Sequence, residues 1–113
     1  PEGLGARVVA AGMAAPAAKR LPPFAAILNS HPLVHAAEGE LYRRVFAEAS
    51  AAIGFPPTRV PADALAGRVA KVVGLAPARV ADHLAAMGKA SGRPWAADQK
   101  HAALAAWLAL ADA

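Results

Sequence analysis

The chain has 113 residues, no cysteine and a formal net charge of +4. This length gives room for one domain with its own core, so we expect a single domain over residues 1–113. Without cysteine, disulfides, thiolate nucleophiles and cysteine-based zinc sites are excluded, and a reducing, cytoplasmic location is favoured. No apolar run reaches the ~18 residues that a membrane span needs, so no membrane partner is expected.

The charge balance favours a polyanionic partner. Twelve basic residues stand against eight acidic ones, and the isoelectric point is near 10.1. DNA or RNA is the polyanion that this balance most often indicates. The alternative is an ordinary solubility charge, because +4 lies in the usual range for a small domain.

The first part of the chain predicts one weak helix and one strand. Residues from Leu4 to about Lys19 favour a helix that is broken or kinked near Pro16. Phe24–Leu28 is a short, continuous apolar run between Pro22-Pro23 and a polar segment. Its length and its flanks are typical of a buried parallel strand.

A longer helix is predicted from Ala36 to Ile53, with Gly54 as its C-terminal cap. Glu38 and Glu40 fall in its first turn, where the helix dipole favours negative charge. His31 and His35 precede it, and Pro32 between them indicates loop residues. The side chains expected to face the core recur at every fourth position: Leu41, Val45, Ala49 and Ile53.

The remaining elements are a second short strand and three helices. Thr58–Val60 predicts an extended segment, and helices follow over 61–74, 77–89 and 98–111. The fold class is therefore α/β, helix-rich, with two short parallel strands joined by a helix. Two strands make a poor sheet. We expect further strands from residues before Pro1, or from a partner such as a second copy in a homodimer.

Among the residues that could carry chemistry, two carboxylates are the candidates. No phosphate-binding loop or serine-nucleophile motif is present. Glu38 and Asp98 each stand at a predicted helix start close to a strand end, the usual place for sites in open α/β sheets. Together they are the candidate catalytic residues and the candidate ligands of Mg²⁺, which prefers oxygen ligands. The alternative is that both only complement helix dipoles.

Basic residues supply the candidate nucleic-acid contacts. Trp95 could stack on a base beside them. A solvated basic face with Trp95 in the core is the alternative. The five cations expected to face phosphates are Arg43, Arg44, Lys71, Arg93 and Lys100.

From Leu21 to Leu110 the order and spacing of elements resemble the RuvC-type Holliday junction resolvases of the RNase H-like superfamily. Phe24–Leu28 corresponds to the family's fourth strand, and Glu38 to Arg44 opens the helix after it. Phe55 to Val60 corresponds to the fifth strand. The run 65–89 resembles two short helices of the family, and 98–105 resembles its final acidic motif.

The resemblance implies a mixed five-stranded sheet, hydrolysis of phosphodiesters with divalent metal, and branched nucleic-acid substrates. The family's first three strands would precede Pro1. Its strand-four Glu falls near Leu28 and its last-helix Asp near Ala102, so Asp98 and Glu38 would be displaced members of the site. We expect a partial RNase H-like fold acting on nucleic acid, with Mg²⁺ as cofactor. The alternative is a non-catalytic domain that binds nucleic acid or serves as a helical scaffold.

Overall fold

The computed structural model describes residues 5–15 and 21–113. That part of the chain is helix-rich and contains two short parallel strands, which confirms the α/β description. The elements, in chain order, are β1 (Gly12–Ala14), α1 (Phe24–Leu28), α2 (His31–Ala52), β2 (Thr58–Val60), α3 (Ala62–Val73), α4 (Pro77–Ser91) and α5 (Ala97–Asp112).

The three C-terminal helices begin and end close to the predicted residues. Gly74 ends α3 in the left-handed conformation, at φ 72°, which only glycine adopts without strain. Pro77 lies in the first turn of α4, where its missing N–H costs nothing. Among the described residues, no helix combines the length and the apolar character that crossing a membrane requires.

The two strands pair in parallel, but the partner of β2 differs from the prediction. Met13 of β1 lies opposite Arg59 of β2, and the N–H of Ala15 donates to the carbonyl of Val60 at 2.9 Å. The helix predicted over residues 4–19 is therefore wrong in its described part. Residues 1–4 and 16–20 of that prediction lie outside the described residues.

The predicted strand at Phe24–Leu28 is wrong, because this segment forms α1. Pro23 precedes the helix in an extended conformation, and its carbonyl accepts from the N–H of Ala26 at 3.0 Å. None of the five α1 residues is buried. A strand covered on both faces needs burial that this segment does not have.

The next helix starts five residues earlier than predicted. Ser30 is the N-cap of α2, and its hydroxyl accepts from the N–H of Leu33 at 3.4 Å. Pro32 lies in the first turn, where proline is tolerated, so it does not prevent a helix here. His31 and His35 are therefore helical, not loop residues, and their rings stack with centroids 5.6 Å apart.

Helices cover both faces of the small sheet. Val60 of β2 is buried against α3 and α5, while Arg59 beside it bonds to Glu40 of α2. Because neighbouring strand residues point to opposite faces, α2 lies on one side and α3 with α5 on the other. The hydrophobic core is on the second side: Val60, Leu65, Val69, Ala70, Val80, Leu104, Ala105 and Leu108.

The predicted inward face of α2 is wrong as well. Leu41, Val45 and Ile53 are 57%, 56% and 73% exposed, whereas Glu40 is only 7% exposed. The helix therefore contacts the sheet through Glu40, while Leu41, Val45 and Ile53 point away from the sheet.

Candidate functional site

A hollow of about 330 Å³ opens beside β1. In the described part of the chain β1 pairs only with β2, so its second edge is open. The hollow lies between the two helical layers, since both α2 and α5 contribute to its wall. Its lining residues are Gly12, Met13, Ala14, Phe46, Asp98, His101 and Ala102.

Asp98 and His101 bring a carboxylate and an imidazole to this hollow. They are three residues apart on α5, so they lie on one face of the helix, one turn from each other. Asp98 is in the first turn, and the nearby Gln99 side chain accepts from the N–H of Ala96 at 3.1 Å. The side chain of Asp98 is exposed and lines the hollow.

Glu38, the second predicted catalytic residue, does not line this hollow. It lies on α2, and its carboxylate is 3.8 Å from Nδ1 of His35 in an exposed pair. Phe46, two turns further along, is the α2 residue that reaches the hollow. Within residues 5–15 and 21–113, no group of three or more His, Asp or Glu side chains is close enough to hold a metal ion.

His101 was not among the site residues predicted from the sequence. The sequence does predict that His101 and Asp98 share a helix face, because they are at positions i and i+3. The strand edge beside them could not be predicted, since β1 lies in a segment predicted to be helical. The roles of Asp98 and Glu38 as metal ligands stay predictions. The residues that line the hollow beside β1 offer two potential ligands, the carboxylate of Asp98 and the imidazole of His101.

A second polar feature, also missed, joins α2 to the sheet. Glu40 accepts hydrogen bonds from Nη2 of Arg59 at 3.1 Å and from Nη2 of Arg43 at 3.3 Å. The predicted first-turn position of Glu40 is wrong, because α2 begins at His31 and Glu40 falls in its interior. A buried carboxylate needs such partners, and two guanidinium groups supply them.

The two arginines hold Glu40 in its charged form. The hydrogen bond from Arg59 is the largest effect, and it lowers the pKa of Glu40 below its ordinary value. Burial acts in the opposite direction, and the bond from Arg43 lowers the pKa further. Glu40 is therefore a structural ion-pair partner and has no proton to donate near neutral pH.

A groove of about 560 Å³ runs between α4 and the start of α5. Its floor is made of small and apolar residues, among them Leu84 and Gly88. Trp95 packs on Gly88, where a Cβ would lie 2.7 Å from Cγ of the indole. Lys89 and Lys100 also line the groove, so two lysines and one indole border the same groove.

The structure distributes the five predicted phosphate contacts over several elements. Arg43 is engaged with Glu40, while Arg44 and Lys71 are exposed on α2 and α3. Arg93 is exposed in the loop before Trp95, and Lys100 lines the α4–α5 groove. Arg93 and Lys100 are thus the two predicted contacts that lie near Trp95. Lys89, the further cation of this groove, was not singled out from the sequence.

No family model, no curated protein and no solved structure matches this chain.

Proposed function

We propose that this chain is a nucleic-acid-binding domain that holds a single-stranded segment in the α4–α5 groove. One observation carries the proposal: Trp95, Lys89 and Lys100 line the same groove. Proteins that bind single strands combine cations for the phosphates with aromatic rings on which bases stack. The apolar floor around Leu84 adds a surface for a base, and Arg93 extends the positive charge along the loop.

The charge of the whole chain supports the same partner. A net charge of +4 attracts a polyanion over distances of about one Debye length, ~8 Å at physiological salt. This attraction raises the association rate without selecting a sequence. The groove then contributes the short-range contacts, and stacking on Trp95 tolerates any base.

Removing the two groove lysines tests the proposal. In the variant Lys89→Ala/Lys100→Ala we expect weaker binding of a short fluorescent oligothymidylate, measured by anisotropy over a range of salt concentrations. The magnitude of the negative slope of log binding constant against log salt concentration should fall by about 1.4, because each lost phosphate contact removes about 0.7 for a single strand.

The matched control is Arg68→Ala/Arg79→Ala, which removes the same charge from exposed positions on α3 and α4. It should change the slope much less. Equal effects of the two double variants would mean that only net charge matters, and the groove would lose its role. No binding by the unmodified chain would reject the proposal altogether.

A second candidate is metal-dependent phosphodiester hydrolysis, which rests on the site alone, because Phe24–Leu28, the segment matched to the family's fourth strand, is helical. The observation in its favour is that Asp98 and His101 face one hollow at the open edge of β1. These two side chains do not make a metal site by themselves, since structural and catalytic sites use three or more protein or substrate ligands. Substrate phosphate oxygens and a segment paired with β1 would have to supply the others.

Cleavage of a labelled four-way DNA junction with millimolar Mg²⁺ separates the two candidates. Under the hydrolytic candidate, Asp98→Asn should abolish cleavage and leave the melting temperature unchanged, because Asp98 is exposed. Asp112→Asn, at the far exposed end of α5, is the control that should retain activity. If the unmodified chain binds nucleic acid without cutting it, the binding function alone stands.

A further inference from the structure

The outward face of α2 exposes large apolar side chains in a continuous stripe. Successive residues of a helix turn by 100°, so positions 41, 42, 45, 46, 49 and 53 share the face opposite Glu40. The outward stripe, as we call it, consists of Leu41 (57% exposed), Tyr42 (72%), Val45 (56%), Phe46 (45%), Ala49 and Ile53 (73%), with Phe46 at the edge that borders the hollow beside β1.

The area of this stripe is that of a large exposed apolar patch. A whole aromatic side chain has about 150 to 250 Å² of surface, and the aliphatic side chains have less. The exposed fractions of the five large residues therefore give on the order of 500 Å² of side-chain surface, toward the upper end of the patches that monomers expose, and such patches are often functional. One partner of a standard interface contributes about 800 Å². The stripe supplies more than half of that area, and its flanks add to it.

The stripe is also complementary to itself. From Leu41 to Ile53 it contains no charged residue, so a second stripe can lie against it without placing a charge in an apolar contact. The small Ala49 lies one turn from Val45, and in an antiparallel pair each Val45 can pack opposite the Ala49 of the other copy. Such an alternation of large and small residues lets two helices approach closely.

Charges on one flank favour the antiparallel direction. Arg44 and Glu48 are exposed, four residues apart, and lie on the same side of the stripe, Glu48 about 20° and Arg44 about 60° around the helix from Leu41. In an antiparallel helix pair the same flank of each copy meets, so Arg44 of one copy comes near Glu48 of the other. In a parallel pair this flank would meet the opposite one, and the complementary contact would be lost.

We propose that two copies of this chain form a two-fold symmetric dimer in which the outward stripes of α2 pack against each other in antiparallel orientation. Two-fold homodimers are the commonest oligomers, and their interface is one patch that contacts itself. The interface lies on the opposite side of the sheet from α4 and α5. It therefore leaves the proposed nucleic-acid groove open, and it does not depend on that function.

Sedimentation velocity of the full chain at micromolar concentrations tests the dimer. We expect a mass of about twice 11.4 kDa. Val45→Glu should raise the dimer dissociation constant at least about a hundredfold, because each interface would bury two unpaired carboxylates. Val45 is exposed in one copy, so the circular-dichroism spectrum should stay helical. The matched control is Leu110→Glu on α5, which is 63% exposed outside the stripe and should remain dimeric.

Cross-linking tests the orientation separately. The chain has no cysteine, so each introduced thiol is unique. A mixture of the variants Leu41→Cys and Ile53→Cys should cross-link with a short bis-maleimide faster than either variant alone. This is because antiparallel packing brings position 41 of one copy to position 53 of the other. A monomeric chain, a dimer that survives Val45→Glu, or faster cross-linking within one variant would each overturn the proposal.

Discussion

Gly12→Ala is expected to destabilise the chain by about 2 to 3 kcal/mol, a large share of the ~5–15 kcal/mol that holds a domain together. A Cβ on Gly12 would lie 2.9 Å from the carbonyl carbon of Ala105 and 3.2 Å from Cβ of Ala109. The backbone of α5 cannot move aside as a flexible side chain could. β1 would have to separate from α5, and the parallel pairing with β2 would weaken with it. Urea unfolding followed by circular dichroism measures the loss.

Gly67→Ala provides the matched control for this substitution. Gly67 lies inside α3, and a Cβ there would meet no atom within 4 Å. Alanine in a helix interior is favoured over glycine, so this variant should gain about 0.5 to 1 kcal/mol. The same chemical change is thus expected to act with opposite signs at the two positions. Equal effects would contradict the close contact of β1 with α5.

Leu65→Ala is expected to cost about 2 to 5 kcal/mol, because it removes a buried side chain and leaves a cavity. Leu65 is 0% exposed and packs in the cluster that joins α3, α4, α5 and β2. Differential scanning calorimetry should show a clearly lower melting temperature. Leu110→Ala, at a position 63% exposed, should change stability by less than about 0.5 kcal/mol. Similar losses in both variants would mean that the core lies elsewhere.

The C-terminal half of the fold could be predicted from sequence because its signals are local. Gly74 and Pro77 mark the boundary between α3 and α4 by their own conformational limits. Leu65 and Val69 of α3 are four residues apart, at helical spacing, and both are buried. Val72 on the same helix is 45% exposed, so the buried face of α3 is narrower than its valines suggest.

The first strand could not be predicted because its conformation depends on a distant partner. Alanine-rich sequence around Gly12–Ala14 favours a helix locally, and Phe24–Leu28 has the length and flanks of a buried strand. Gly12–Ala14 is the strand because it pairs with Thr58–Val60, which lies more than forty residues from Gly12 in sequence. Gly12 allows β1 to approach α5, an advantage that only the folded structure reveals.

The candidate sites were predictable in part. Asp98, Arg93, Lys100 and Trp95 were singled out by residue type, and three of them line the hollow or the groove that the structure describes. The grouping of Asp98 with His101 needed the position of β1, which the sequence pattern had placed in a helix. The burial of Glu40 needed its arginine partner on β2, because charged residues inside a helix are usually solvated.

The one-sided core has a consequence for how the chain opens. On one face of the sheet, α3 and α5 share buried leucines and valines, so their amide protons should exchange with solvent only when the whole domain unfolds. On the other face Glu40 is the one described residue of α2 that is buried, and it contacts the sheet through Arg59, so the amides of α2 should exchange through a smaller, local opening. The two faces of this small sheet are thus expected to belong to different cooperative units.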